Sequence, residues 1–293
     1  MTGVTADPGT DRTVTLEDGR TLAFSEWGVL DGSPIFLFHG RPGSRLLCPD
    51  EDSTLAAGVR LITVDRPGYG RSDPRPGRTL LDWADDMGEL ADQLELDRFP
   101  IIGWSSGGPH ALACAVRIPA RVTAIGLAAT AGPCDAVPGA WEELPEEVRA
   151  LTEVLRKDPP AALEGIRKRL QWYAEDPESV LAPGFAGPDD PDDMLLARPE
   201  ILAPMQAWMR EGARQGSTGF IEDWIAEQLP WGFELSDVGH QVHVWWGEHD
   251  SLVTRPNTDY LASTLRRATL VTYPRDGHLF PVIHWREMLA GLL

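Results

Sequence analysis

Hydrophobic and polar positions fall into two regimes along the chain. Near the start, two short strand-like runs at 13–16 and 21–27 flank Asp18-Gly19. An Asp-Gly between such runs predicts a β-hairpin. Pro34-Ile35-Phe36-Leu37-Phe38 is then an unbroken run, which suits a strand buried on both faces of a parallel sheet. It stops abruptly at His39-Gly40-Arg41-Pro42-Gly43. Leu61-Ile62-Thr63-Val64 reads as a further buried strand, ended by Asp65-Arg66-Pro67-Gly68-Tyr69-Gly70. Residues 79–94 carry apolar side chains at helical spacing: Leu80, Trp83, Met87, Leu90 and Leu94. A strand is expected over 99–104, a small-residue helix over 107–116 with Pro109 in its first turn, and a strand over 122–128.

The alternation stops at that point. From Pro133 to Ser236 the pattern is helical, broken by prolines, with no convincing strand. Strands resume over 241–246 and 269–273, with helices over 258–265 and 281–292. Strand–helix alternation on both sides of a helical stretch predicts an α/β fold. In this reading a mostly parallel twisted sheet is built from 1–132 and 237–293 and flanked by helices, and 133–236 is a helical lid inserted after the sixth strand.

Charge narrows the partners. The 293 residues carry a formal net charge of −19. Such a chain repels phosphate backbones and anionic membranes, so neither nucleic acid nor a membrane is expected as partner. The stretch 133–236 holds 21 acidic against 9 basic residues together with five of the tryptophans. Its acids, including those of the loop 187–193, read as solvated, and one or two of its tryptophans as facing a pocket. Cys48, Cys114 and Cys134 show no metal-ligand spacing and read as free thiols of a reducing compartment. Residues 1–10 lack the basic and apolar regions of a signal peptide, and no run reaches the ~20 apolar residues of a membrane span. The expected address is the cytoplasm.

The chemistry concentrates in Gly103-Trp104-Ser105-Ser106-Gly107, a G-x-S-x-G between an expected strand and an expected helix. A sharp turn there strains the central residue, and the flanking glycines relieve the crowding. The Ser105 hydroxyl then projects at a helix N-terminus, where N–H groups favour developing negative charge. Shifting the frame to Ser106 would put Trp104 where a small residue is needed. Serine needs a base, and the base an orienting acid. On such a sheet the chain order is serine, acid, histidine. Gly247-Glu248-His249-Asp250 and Asp276-Gly277-His278 both follow strand ends. His278 is therefore the expected base and Asp250 its partner, with Asp135 as the rival acid. The backbone amides of Ser106 and Arg41 are the expected oxyanion donors, since Pro42 has no N–H. The Arg41 side chain either holds a substrate carboxylate or phenolate, or pairs with an acid such as Asp65 or Asp73. Trp104 adjoins Ser105 as a candidate substrate contact. His39 reads as structural beneath the turn and His110 as packing. The remaining histidines show no metal-ligand pattern, and no cofactor is expected.

Taken together, His39 to Gly43, Asp65 to Asp73, the serine elbow and Gly277-His278 resemble the α/β-hydrolase superfamily over 10–132 and 237–293. Within it the chain looks like the lidded esterase, lactonase and prolyl-aminopeptidase-like branch. Dehalogenases and epoxide hydrolases carry Asp where this chain has Ser105. The resemblance implies acyl transfer through an acyl-enzyme on Ser105, on a small-molecule ester, lactone, thioester, amide or C–C substrate. The aromatic, base-poor insert favours a small, largely apolar ester or lactone. An aminopeptidase using lid carboxylates to hold a substrate amine is the second reading, though the elbow lacks Gly-Gly-Ser-Trp-Gly. A lyase, cyclase or receptor that keeps the triad is the third. Apolar surface on the insert would serve a homodimer.

Overall fold

The computed structural model describes residues 10–182 and 190–293. The expectation of no signal peptide over residues 1–10, and the part of the acidic loop before Asp190, lie almost wholly outside those residues. Eight strands form one sheet in the order β1-β2-β4-β3-β5-β6-β7-β8. They are β1 (Thr10–Thr15), β2 (Thr21–Gly28), β3 (Ser33–Phe38), β4 (Val59–Val64), β5 (Phe99–Trp104), β6 (Val122–Ala128), β7 (Val242–Gly247) and β8 (Ala268–Tyr273). β1 and β2 pair antiparallel, as the Asp-Gly hairpin requires, and β2 also meets β4 antiparallel. From β4 through β3 to β8 every pairing is parallel.

Helices cover both faces. On one side α2 (Leu80–Gln93) and α3 (Gly107–Arg117) bury Trp83, Met87, Leu90 and Leu112 against the sheet. α2 begins where Thr79 and Asp82 form a reciprocal capping box, which satisfies orphan N–H groups of the first turn. On the other side α1 (Glu51–Ala56) lies beside α12 (Pro281–Leu292), whose Trp285 and Met288 enter the second core cluster. α1 escapes the sequence pattern because only Thr54 of its six residues is buried, leaving no apolar period to read. α11 (Arg255–Thr264) links β7 to β8.

Between β6 and β7 the described residues are helical: α4 (Ala140–Glu143), α5 (Glu146–Lys157), α6 (Pro159–Arg169), α7 (Gln171–Glu175), α8 (Pro191–Leu196), α9 (Pro199–Gly212) and α10 (Thr218–Gln228), with short 3-10 turns. Part of this insert has its own apolar cluster, in which Leu155, Ile166, Tyr173, Phe220 and Trp224 pack with Tyr69 of the core, while α8 and α9 send Leu195, Leu196, Met205 and Trp208 into the second core cluster. The three cysteines are free thiols, and burial pushes Cys48 up to about 12. No helix of the described residues is long and apolar enough to cross a membrane.

Strand order positions the site. The chain runs outward in one direction through β3 and β4 and in the other through β5 and β6, so β3 and β5 are neighbours with diverging connections. A crevice opens beyond the carboxyl ends at such a reversal. The loop after β3 and the turn after β5 meet there, and both carry the residues singled out by sequence.

Candidate active site

Ser105 stands at the end of β5 with φ +53°, a left-handed conformation costly for a side-chain-bearing residue. Its N–H donates to the Ala128 carbonyl of β6 at 2.8 Å, which ties the turn to the sheet. Both flanking glycines are obligatory by space. A Cβ at Gly103 would strike the Gly107 carbonyl, and one at Gly107 would strike the Phe38 carbonyl of β3. The loop after β3 also comes close, since a Cβ at Gly40 would lie 3.3 Å from that of Ser105.

That loop is held from below. Gly40 O accepts from Nδ1 of buried His39 at 2.7 Å and from Arg66 at 3.3 Å, while Arg66 also donates to His39 O at 2.5 Å. A carbonyl only accepts, so Nδ1 carries the His39 proton. Burial, reinforced by the Arg66 cation, holds the His39 pKa well below the histidine value. His39 is thus structural. His110 has more than a packing role, because its Nε2 lies 3.5 Å from Asp223 and its Nδ1 2.9 Å from Ser106 O. Burial and neighbouring Arg66 bring it down to about 4.

His278 follows β8, and its Nδ1 lies 2.8 Å from Asp250 Oδ2. Asp250 is fixed in turn by the N–H groups of Leu252 and Val253, each 2.9 Å from Oδ1. Burial lowers the affinity of His278 for a proton, but the Asp250 charge and hydrogen bond outweigh it and raise the pKa above the usual histidine value. Asp135, the rival acid, instead pairs with Arg156 at 2.8 Å on an exposed face.

Two cavities meet at Ser105. The first, about 240 Å³, has both Ser105 and His278 in its wall, with Trp172, Trp208, Met205 and Phe220 making the lining apolar. Trp104 lines it too, stacked on Trp208 with centroids 6.0 Å apart and donating to His278 O at 3.3 Å. The second, about 650 Å³, is more polar, with Ser106, Glu143, Glu227, Gln228 and Asn257. Arg41 borders both. Its partner is neither Asp65, which holds Arg45 at 2.7 Å, nor Asp73, which accepts from Thr21 N at 2.7 Å. Arg41 pairs with Glu227 of α10 at 2.7 Å and lies over the Phe220 ring. Glu227 also accepts a short hydrogen bond from the Ser106 hydroxyl. Burial pushes the Glu227 carboxyl up, against the pull of Arg41.

Four of the insert acids, Asp192, Glu211, Asp223 and Glu227, depart from the expectation of a solvated surface. Asp223 is fully buried and accepts from Arg66 at 2.6 Å, from Tyr69 at 2.8 Å and from Arg78. Burial opposes its charge, yet the two guanidiniums keep its pKa well below the carboxylate range. Glu211 reaches Arg45 at 2.6 Å, and Asp192 is buried behind His278. These partners lie 86 to 186 residues away in sequence, too far for local pattern to reveal. One signal was available. Asp223 and Glu227 fall at helical spacing with Phe220 and Trp224, as Asp192 does with Leu195 and Leu196. Among the described residues no group of three or more His, Cys, Asp or Glu is placed to hold a metal.

Known proteins are similar to this chain across nearly its whole length. A 2-hydroxy-6-oxononadienedioate/2-hydroxy-6-oxononatrienedioate hydrolase of Cupriavidus pinatubonensis is 25% identical over 93% of this chain and 90% of its own. A bifunctional esterase/perhydrolase of Acinetobacter calcoaceticus is 26% identical over 96% of this chain and 97% of its own. Among solved structures, an esterase from Exiguobacterium antarcticum superposes with a TM-score of 0.68 at 23% identity, covering 96% of this chain and 97% of that one. These relatives are hydrolases and the structural likeness is one of fold. Residues 33–284 match the model of the alpha/beta hydrolase fold family, and the chain belongs to that family.

Proposed function

We propose that the protein is a serine hydrolase that cleaves an ester, lactone or thioester of a small substrate through an acyl-enzyme on Ser105. One observation carries this reading: a strained serine and a histidine already paired to a carboxylate share the wall of one cavity. Asp250 occupies Nδ1 of His278, which leaves Nε2 to take the Ser105 proton as Oγ attacks the carbonyl. The imidazolium so formed is stabilised by Asp250 and then protonates the leaving group. Water, activated by the same nitrogen, releases the acid.

Oxyanion stabilisation falls to the amides of Arg41 and Ser106. The Gly40–Arg41 peptide has its carbonyl drawn toward His39 and Arg66. In a planar trans peptide the Arg41 N–H then points the opposite way. Residues 133–236 act as a lid whose aromatic face covers the apolar cavity. The apolar part of the substrate, against Trp104 and Trp208, occupies the 240 Å³ cavity, and a more polar part lies beside Arg41 in the larger one.

A lid carboxylate that holds a substrate amine fits less well, because Glu227 beside Ser106 is already engaged by Arg41. Cleavage of a carbon–carbon bond is the second reading, favoured by the oxononadienedioate hydrolases among the relatives. The test is fluorophosphonate labelling of the wild type and Ser105→Ala with mass spectrometry, then p-nitrophenyl esters of increasing acyl length. An adduct on Ser105 that vanishes in the variant, with ester turnover, is expected. A folded wild type that is not labelled, or a Ser105→Ala variant that keeps its activity, would overturn the acyl-enzyme.

A further inference from the structure

Three groups fix His278. Asp250, in the loop after β7, holds its ring, and Trp104, at the end of β5, its carbonyl. The third is Asp192, the second residue of α8 in the insert. Its Oδ2 accepts from the backbone N–H of His278 at 2.7 Å and its Oδ1 from that of Leu279 at 2.9 Å. Nothing in α8 itself calls for this. The helix is capped by Asp190, whose side chain accepts from Asp192 N, so both Asp192 oxygens are spent outside the helix. A carboxylate buried to this extent is tolerated only with its lone pairs satisfied. The core is shaped to receive it, since a Cβ at Gly277 would lie 2.5 Å from Oδ1 and 2.7 Å from Oδ2. The glycine before His278 therefore leaves room for an acid from another part of the chain.

We propose that Asp192 is a positioning residue that sets the His278 backbone, so that the base stands in register with Ser105 only while α8 is docked. This rests on Ser105 and His278 acting as nucleophile and base. The two carboxylates facing His278, Asp250 and Asp192, both also favour its protonated form. Asp192 is itself shifted up by burial, against the pull of its two N–H donors.

The test compares wild type, Asp192→Ala, Asp192→Asn and Gly277→Ala by the rate of fluorophosphonate labelling at Ser105, which needs no knowledge of the substrate. Displacing a reacting group by about 1 Å costs on the order of 100-fold. For Asp192→Ala the maximal labelling rate should fall by about that factor, with half-saturating probe concentration held within about threefold. Asp192→Asn keeps one acceptor and should fall between. Gly277→Ala retains the carboxylate but displaces it, and should follow Asp192→Ala. In the two Asp192 variants the acid limb of labelling against pH should move down, because a negative charge near His278 is gone.

Folded Asp192 variants labelled within twofold of wild type would overturn the proposal. So would a loss shared equally by rate and probe affinity, or failure of both Asp192 variants to fold, since either would make Asp192 a general structural support. A wild type that is not labelled would remove the acyl-enzyme reading itself. Normal wild-type labelling with unchanged variants would remove only the role of Asp192.

Discussion

The sheet and the helical insert are stabilised in different ways. The sheet is held by ladders and by apolar side chains that are almost wholly buried, such as Phe36, Phe38, Ile101 and Leu127. The insert has its own small core and packs Leu196, Met205 and Trp208 into an apolar cluster with the sheet, but it also meets the sheet through carboxylates: Asp192 on backbone N–H groups, Glu211 on Arg45, Asp223 on Arg66 and Arg78, and Glu227 on Arg41 and Ser106. Apolar packing is non-directional and tolerant of sliding. Buried ion pairs are costly to desolvate and demand one geometry. They therefore add little net stability but fix where the insert sits. Three of the four touch the loops that carry Arg41, Ser106 and His278 directly or through Arg66, so the insert is aligned to the candidate site.

The largest effects should separate chemistry from docking. On the sheet side, Asp250→Asn leaves the ring partner in place but removes the charge that orients and stabilises the imidazolium. Ester turnover should fall by about 10⁴-fold with little change in urea midpoint. Asp135→Asn should turn over at wild-type rate. If the two variants exchanged behaviour, the acid of the site would lie after β6 instead.

On the insert side, Asp223→Ala strands two fully buried guanidiniums, Arg66 and Arg78. Removing one partner of a buried pair costs about 3–5 kcal/mol, which equilibrium urea unfolding would read. The pH sign follows from the depressed pKa. The contribution of Asp223 is present above the unfolded carboxylate value and is lost as pH falls through the folded one. An Asp223→Ala variant as stable as wild type would mean that apolar contact alone holds the insert.

The same contrast explains what could be read from sequence. Strand runs such as 34–38 and 99–104 are apolar throughout because both faces are covered, so burial is written locally, residue by residue. The elbow was equally legible, since Gly103 and Gly107 are demanded by atoms within a few residues or on the adjacent strand. The partners of the insert acids were not. With 21 acids in the stretch 133–236, composition dilutes the few that turn inward. Which arginine each one meets is decided by tertiary placement, as with Arg41, matched in sequence to Asp65 or Asp73 but joined in the structure to Glu227. A charge set into the apolar face of a helix, as at Asp223 between Phe220 and Trp224, is the local trace that such docking leaves.

A smaller effect belongs to His278. As the proposed base it must be neutral to accept a proton, so the acid limb of kcat/KM should lie above the usual histidine value, matching its raised pKa. The stability sign is opposite to that of Asp223. A raised histidine contributes fully below its unfolded pKa and loses that contribution as pH rises through the folded one. Across the interval where activity rises, unfolding free energy should therefore decline with pH, with a slope of at most about 1.4 kcal/mol per pH unit. A stability profile that is flat there, in a protein with an acid limb, would assign the limb to another group.

The smallest expected effect falls on Arg41, where the two regions touch the substrate space together. Its backbone N–H belongs to the sheet side and its guanidinium to the insert side. Arg41→Met keeps the amide and breaks only the pair with Glu227, which is less buried than the Asp223 pairs, so the cost in stability should fall below the ~3–5 kcal/mol expected at Asp223. Turnover of a neutral p-nitrophenyl ester should then stay within about threefold of wild type, because the proposed oxyanion donor is retained. An ester bearing a carboxylate on its polar arm is the discriminating substrate. If the guanidinium can leave Glu227 for that group, KM for the anionic ester should rise about tenfold in Arg41→Met, as for loss of one exposed charge-assisted contact, while kcat is held. Equal KM values for the neutral and anionic esters in both proteins would make the pair a docking contact alone, alike in kind to Glu211 and Arg45.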